Sequence, residues 1–290
     1  MSILIKKAKL DGERRDIFIQ GDHIARIDDD IDKDADQIID ARDKIAIPSF
    51  FNAHTHAAMT LMRGYSDDLP VQQWLEEKIW PLENKLTEED VYWGAKLAIL
   101  EMIKTGTTFF NDMYWHFHGT ARAVEEMGLR AALSAVLIDM FDEEESRRQI
   151  ERNQKLFEEH QQYSDRIHFA LGPHAIYTVS EKSLIWAKEF ADENDLLIHI
   201  HLSESEDEIN GSLEQHGQRP VEYLDEIGFL GENVIACHNI WLNDKELNLL
   251  QENGVKLVHL PVSNMKLGSG FYPYQRLKDR GLKVDVGTDG

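Results

Sequence analysis

Cysteine is almost missing from the 290 residues: Cys237 is the only one. No intrachain disulfide can form, and a cysteine-rich zinc module is excluded. Basic residues are scarce beside acidic ones. Lys plus Arg number 31 against 53 Asp plus Glu, a formal net charge of −22. Such a chain is a poor binder of nucleic acid or of anionic membrane. Long apolar runs are lacking as well. No stretch approaches the roughly 18 residues that span a bilayer, and the apolar run at residues 3–5 is too short for the core of a secretory leader. There is no GxGxxG or Walker-type loop, no fixed-period repeat and no low-complexity tract. The glycine-containing stretch 266–270 lacks the context of a phosphate cradle. The expected setting is a reducing cytoplasm, with a small molecule as the partner.

What is present is enough for a real core: 42% of residues are apolar and 29% charged. Residues 1–46 read as part of a small β-sandwich domain, with strand-like runs at 3–8, 17–20, 24–27 and 37–40. Turn signals at Asp11-Gly12 and Gly21-Asp22 separate the first of these. Residues 28–36 hold six aspartates and one lysine. They lack the glycine and glutamate spacing of a calcium loop and read as a solvated turn.

From residue 45 the pattern changes to short apolar runs alternating with longer amphipathic segments. Eight runs are legible, at 45–53, 107–111, 130–138, 167–172, 196–202, 234–237, 255–260 and 282–287. Helices between them carry start signals at Thr87, Ser180 and Asn243, and Lys104 with Gly106 stops the first. Strands alternating with helices imply parallel pairing through crossovers, and eight of them imply a closed (β/α)8 barrel over residues 47–290. A barrel normally follows its last strand with a helix, so the chain reads as a C-terminally truncated piece of a longer protein.

The informative histidines fall at the ends of these runs. His54-Thr55-His56 closes the first barrel strand, and in a strand residues i and i+2 share a face. His199-Ile200-His201 closes the fifth, with His201 nearer the mouth and His199 expected deeper, in the core or behind a ligand. Glu204 lies on the loop above it and is set apart from its neighbours up to Glu208, which read as acidic surface. His238 closes the sixth strand and Asp289 the eighth. Cys237, beside His238, is expected to point to the opposite face and to be inert. Catalytic groups of a (β/α)8 barrel gather at the C-terminal strand ends. Packing alone does not explain four polar sites on one rim. Three imidazoles and a carboxylate suit a divalent ion such as zinc, with iron and manganese as alternatives, and an ion of this kind can activate water for hydrolysis. Trp80, Trp93, Trp115, Trp186 and Trp241 read as packing. Tyr114, His116 and His118 face the mouth on this reading, without a catalytic role.

These motifs resemble the amidohydrolase superfamily over essentially the whole chain. The resemblance is carried by Pro48 through His56, Gly172-Pro173-His174, His199 through Glu204, His238, the run from His259 to Gly270, and Gly287 to Gly290. Within it the chain is similar to the cytosine deaminase-like branch. It most resembles the 5′-methylthioadenosine/S-adenosylhomocysteine deaminases, through Trp74-Leu75-Glu76-Glu77, Ile79 to Glu83, and Ser263 to Gly268.

The resemblance implies a mononuclear metal site of His54, His56, His201 and Asp289. It implies that Glu204 shuttles protons to the ring nitrogen and that His238 contacts the attacking water or the substrate near the metal. Asp289 would take a proton from that water. Glu83 would bind ribose hydroxyls, His174 would face the sugar, and Trp74 would cover the nucleoside. The implied activity is hydrolytic deamination of an adenosine-type thioether to the inosine analogue and ammonia, by a possible homo-oligomer. Guanine deaminase or triazine chlorohydrolase chemistry on the same scaffold is an alternative, and a non-catalytic barrel a further one. The chain departs from the family pattern at His259-Leu260-Pro261, where His-Asn-Pro is commoner. The arginines expected to meet a polar substrate tail do not align securely with Arg147, Arg148 or Arg152.

Overall fold

Alternating apolar residues and tight turns at the start of the chain build a four-stranded sheet. Its strands are β1 (Ser2–Leu10), β2 (Glu13–Gln20), β3 (His23–Asp28) and β4 (Gln37–Asp40), in the order β3-β2-β1-β4. β4 alone pairs in parallel, against β1. The computed structural model describes residues 1–66, 69 and 71–290, with side chains at all of these except 71 and 72. It divides into two compact units, Met1–Ser49 and Phe50–Gly290. In the first unit Leu4, Phe18 and Ile31 form a small core. The acidic segment 28–36 keeps most of its carboxylates exposed while Ile31 turns inward.

The second unit is the eight-stranded barrel. Its strands are β5 (Phe50–Thr55), β6 (Thr107–Tyr114), β7 (Arg130–Leu137), β8 (Ile167–Pro173), β9 (Leu197–Leu202), β10 (Val234–His238), β11 (Lys256–His259) and β12 (Val284–Val286). They pair in chain order, every neighbour parallel. The last strand returns to the first: Thr288 and Asp289 donate their backbone N–H groups to the His54 carbonyl at 3.0 and 3.1 Å. Gly287 is needed at this seam, because a Cβ there would stand 2.6 Å from the same carbonyl.

The first barrel strand begins five residues later than the apolar run suggests. Ile45 bridges to Lys9 instead, the Ala46 N–H donates to the Lys9 carbonyl, and Pro48 has no N–H to offer a barrel neighbour.

Helices occupy the crossovers. The helix Glu88–Thr105 starts with a capping box between Thr87 and Asp90 and stops at Gly106 in the left-handed region (φ 88°). The helix Asp244–Glu252 has the same device, Asn243 with Glu246. Ser180 precedes Glu181–Glu193 without capping it; its hydroxyl donates to the buried Asp139 at 2.6 Å. Gly94, inside the first of these helices, lets the turn after His56 pack close, since a Cβ there would lie 2.5 Å from the Ala58 carbonyl. Among the described residues no helix is long and apolar enough to cross a membrane.

Candidate active site

The C-terminal ends of β5, β9, β10 and the segment after β12 meet at one rim. His54 Nε2 lies 3.1 Å and His56 Nε2 3.2 Å from Asp289 Oδ1. His201 Nε2 lies 3.3 Å from His56 Nε2. One ligand atom from each of these four residues falls within 4.8 Å of all the others. Zinc bonds of about 2.1 Å in a tetrahedron place neighbouring ligand atoms roughly 3.4 Å apart, so the set has the right span for one ion. The donor types also fit: three imidazole nitrogens and one carboxylate.

What lies behind each ring bears on the fit. An imidazole that ligates through Nε2 carries its proton on Nδ1, which needs an acceptor. His56 Nδ1 lies 2.6 Å from the Met113 carbonyl, and His201 Nδ1 2.9 Å from the His174 carbonyl. Both backbone oxygens can only accept, so both rings carry a proton on Nδ1 and turn Nε2 to the site. His54 Nδ1 instead faces His199 Nε2 at 2.7 Å. His199 is fully buried below the rim.

Burial and charge polarise the cluster. Burial favours the neutral imidazole and lowers His54 to about 4 and His174 to about 3. It also lowers His201 well below the ordinary value. Burial would do the same to His56, but the adjacent Asp289 carboxylate reverses it and raises the group to about 9. Burial alone would raise Asp289; hydrogen bonds from His54 and His56 pull it well below the usual carboxylate range. A carboxylate that holds a proton on a neighbouring ring would also attract a cation in the same place.

Glu204 and His238 complete the rim. His238 Nε2 is 3.6 Å from Glu204 Oε2 and 3.7 Å from Asp289 Oδ2. Burial raises the Glu204 carboxyl above its usual range, with His238 opposing. A carboxyl that holds its proton more tightly than usual suits a general acid. The backbone here is bent to serve the site. Ser203 (φ 53°), His238 (φ 73°) and Asp289 (φ 66°) all lie in the left-handed region, which non-glycine residues occupy at a cost.

That bend corrects one expectation. Alternation sends Cys237 and His238 to opposite faces, yet the left-handed turn at His238 breaks it. Cys237 Sγ lies inside the barrel, 3.1 Å from His199 Nε2. Burial pushes its thiol up, so it stays protonated.

A cavity of about 640 Å3 opens above the cluster. Glu83, His174 and Trp74 all line it, together with His56, His201, Glu204, His238 and Asp289. Glu83 ends a helical stretch that runs through Val71–Trp74, a wider π turn at Leu75–Ile79, and Trp80–Glu83. Burial raises its carboxyl, with Tyr114, His56 and Trp115 pulling the other way. Trp80, Trp115 and Tyr114 line the cavity too, whereas Trp93 is exposed on a helix. His116 and His118 turn away, to the Leu86 carbonyl and to Tyr163 with Glu159.

Three contributors escape a reading of the sequence. Tyr177 lines the cavity with its ring edge-on to His174. Glu208 is buried, contrary to its expected place on the acidic surface, and accepts the N–H groups of Ser203 and Glu204, both at 2.8 Å. It thereby holds the loop that carries Glu204, and the spacing Ser205-x-x-Glu208, a capping-box signature, was its available signal. Asn264 joins two histidines. Its Nδ2 donates to His259 Nδ1 at 3.4 Å and its Oδ1 accepts from His238 Nδ1 at 2.9 Å, which leaves His238 Nε2 facing the rim as an acceptor.

The model of the amidohydrolase family matches residues 45–290. A 5-methylthioadenosine/S-adenosylhomocysteine deaminase from Thermococcus sibiricus is 48% identical over 297 aligned positions, covering 100% of this chain and 70% of that protein. A 5′-deoxyadenosine deaminase from Methanothermobacter thermautotrophicus is 47% identical, covering 96% of this chain and 65% of that protein. Among solved structures, an adenosine deaminase from Xanthomonas campestris with bound zinc superposes with a TM-score of 0.92 at 33% identity, over 99% of this chain and 69% of that one. The eight-stranded barrel, the four ligand-type residues at its rim and a family match that runs from residue 45 to the last residue agree: the chain belongs to the amidohydrolase family.

Proposed function

We propose that the protein is a metal-dependent deaminase of adenosine-type nucleosides that carry a 5′ substituent, with 5′-methylthioadenosine and S-adenosylhomocysteine as the thioether substrates. The observation that carries this reading is the approach of Glu204 and His238 to a four-residue ligand set under a nucleoside-sized cavity. Relatives at nearly equal identity are named for thioether and for 5′-deoxy nucleosides, and both kinds are adenosines altered at the 5′ position.

His54, His56, His201 and Asp289 would hold the divalent ion, with zinc the ion that best suits three imidazoles and a carboxylate. When bound, the ion supplies the Lewis acidity that makes a water nucleophilic near neutral pH. The remaining work falls to side chains. His238 Nε2 accepts a hydrogen bond from the water that attacks C6, and Asp289 takes a proton from it. Glu204 donates a proton to N1 as the C6–O bond forms, so no negative charge builds up on the ring. The amino group then takes up a proton, the C6–N bond breaks, and ammonia departs. Adenosine plus water gives inosine plus ammonia. Acid–base help of this kind contributes about 10²–10⁴-fold.

Glu83 accepts hydrogen bonds from the ribose hydroxyls, His174 faces the sugar, and Trp74 covers the nucleoside. The buried, unreactive Cys237 suits a reducing cytoplasmic setting.

The test is ammonia release by the zinc-loaded protein from 5′-methylthioadenosine, S-adenosylhomocysteine and 5′-deoxyadenosine, with guanine and a chlorotriazine as controls. One ammonia per nucleoside and an inosine-type product support the reading. Ammonia from guanine alone, chloride from the triazine, or no turnover at all would overturn it.

A further inference from the structure

Of the three histidines in the ligand set, only His54 has a side chain behind its Nδ1, and that difference has chemical content. The carbonyls behind His56 and His201 accept and never donate, so they impose one tautomer. His199 Nε2 can do either. Its other nitrogen, Nδ1, lies 3.2 Å from the Ser134 hydroxyl, which in turn lies 3.5 Å from Asn111 Oδ1. Asn111 is held by a 3.1 Å bond from its Nδ2 to the Ala53 carbonyl. His54, His199, Ser134 and Asn111 are all buried, so water cannot repair an unmade bond.

The same heavy-atom positions satisfy this chain in two directions. In one, Ser134 donates to His199 Nδ1, His199 Nε2–H donates to His54 Nδ1, and His54 Nε2–H donates to Asp289 Oδ1 at 3.1 Å. In the other, His54 Nδ1–H donates to His199 Nε2, His199 Nδ1–H donates to the Ser134 oxygen, and the Ser134 hydroxyl turns to Asn111. The two arrangements hold the same number of protons and no net charge on either ring. Only the second frees the His54 Nε2 lone pair for a cation. The Cys237 thiol beside His199 Nε2 is a weak donor and a weak acceptor, and it tolerates both.

We propose that His199 and Ser134 are positioning residues that form a reversible hydrogen-bond chain and set the metal-binding tautomer of His54 without placing a charge in the barrel core. The inference rests on the metal reading given above, and it assigns to the deep histidine a task that packing alone would not need.

The experiment is a zinc titration of the protein labelled with ¹⁵N-histidine, read by long-range proton–nitrogen correlation, alongside zinc affinity measured by chelator competition. The protonated nitrogen of His199 is expected to change from Nε2 to Nδ1 in step with that of His54. His199→Phe is expected to weaken zinc binding by about 10–100-fold, the usual cost of losing a partner behind a ligand. His199→Gln, which restores an acceptor at the height of Nε2, is expected to recover most of that loss. Ser134→Ala is expected to give a smaller loss in a protein that melts normally.

Wild-type protein that takes up zinc while the His199 signals stay unchanged would overturn the inference and leave the metal reading standing. So would a His199→Phe variant that holds zinc as tightly as wild type, or a Gln variant no better than Phe. Wild-type protein that takes up no zinc would sink both. If His199→Phe does not fold, the labelling result and Ser134→Ala decide the matter.

Discussion

Two strands of the barrel end in the same triplet, His-x-His, and use it differently. On β5 both rings reach the ligand set: His56 at the rim and His54 from one step below, its Nε2 turned up to Asp289. On β9 only His201 does so, while His199 sits behind His54 and touches it through Nδ1. The motif and its same-face geometry are shared. What differs is the neighbour each deep ring meets. His54 is capped by the returning segment Thr288–Asp289, whose carboxylate gives it something to reach. His199 lies under His54 and beside Cys237, with the Ser134 hydroxyl as its other partner. Sharing a face therefore does not settle which rings reach the rim cluster; the neighbours that the fold brings to each ring do.

The largest expected effect tests whether the rim layer is the ligand layer. His201→Ala and Asp289→Asn should each strip the protein of retained zinc after gel filtration and abolish ammonia release. If zinc content survives either change, the two triplets are not divided as described.

Next in size is Glu204→Gln, which should lower ammonia release by about 10²–10⁴-fold while zinc content stays at the wild-type level. Loss of zinc together with rate would move Glu204 into the ligand set.

A smaller effect is expected for Asn264→Ala. Without its amide oxygen the His238 ring loses the partner that fixes its tautomer. The rate should fall by about tenfold to a hundredfold, as for other groups that orient a ligand or base, with zinc content and KM little changed. A change confined to KM would assign Asn264 to substrate binding instead.

Glu208 yields a prediction in stability. Burial raises its carboxyl from the ordinary value of 4.5 to about 7, against the pull of two backbone N–H groups. A folded pKa above the unfolded one means that the group contributes most below about pH 4.5 and that its contribution is lost as pH rises through about 7. The stability of wild type relative to Glu208→Gln should therefore fall between those values, by about 3 kcal/mol at 1.36 kcal/mol per unit. Urea melts at a series of pH values measure this, and a flat difference would show that Glu208 is ionised and paired in the fold.

The smallest effect belongs to Cys237→Ala, which removes one polarisable atom beside His199. Zinc affinity and rate should stay within about threefold, since the thiol enforces neither direction of the chain.

The legible part of the site was the part written as local pattern. His54, His56, His201, His238 and Asp289 each close an apolar run, and an apolar run bounded by turn signals marks a strand even in isolation. Glu204 was legible by its distance from His201. Glu208 was passed over despite its spacing from Ser205, because Glu204, Glu206, Asp207 and Glu208 look alike until the fold shows which one turns inward to the N–H groups of Ser203 and Glu204. Cys237 was misplaced because alternation presumes extended backbone, and His238 leaves that region at φ 73°. Asn264 and Tyr177 had no spacing to announce them, since their partners come from other strands and loops.

Order along the chain determined the eight strands, the capped helices between them and the residue types at the strand ends, because hydrophobic periodicity and turn chemistry act over a few neighbours. Closure of the barrel decided the rest. Bringing residues 54 and 289 within 3.1 Å depends on the stagger of eight paired strands, a sum that no local stretch contains. Whether the deep ring of each matching triplet turns up to Asp289 or lies behind another ring was likewise decided by packing across the barrel interior.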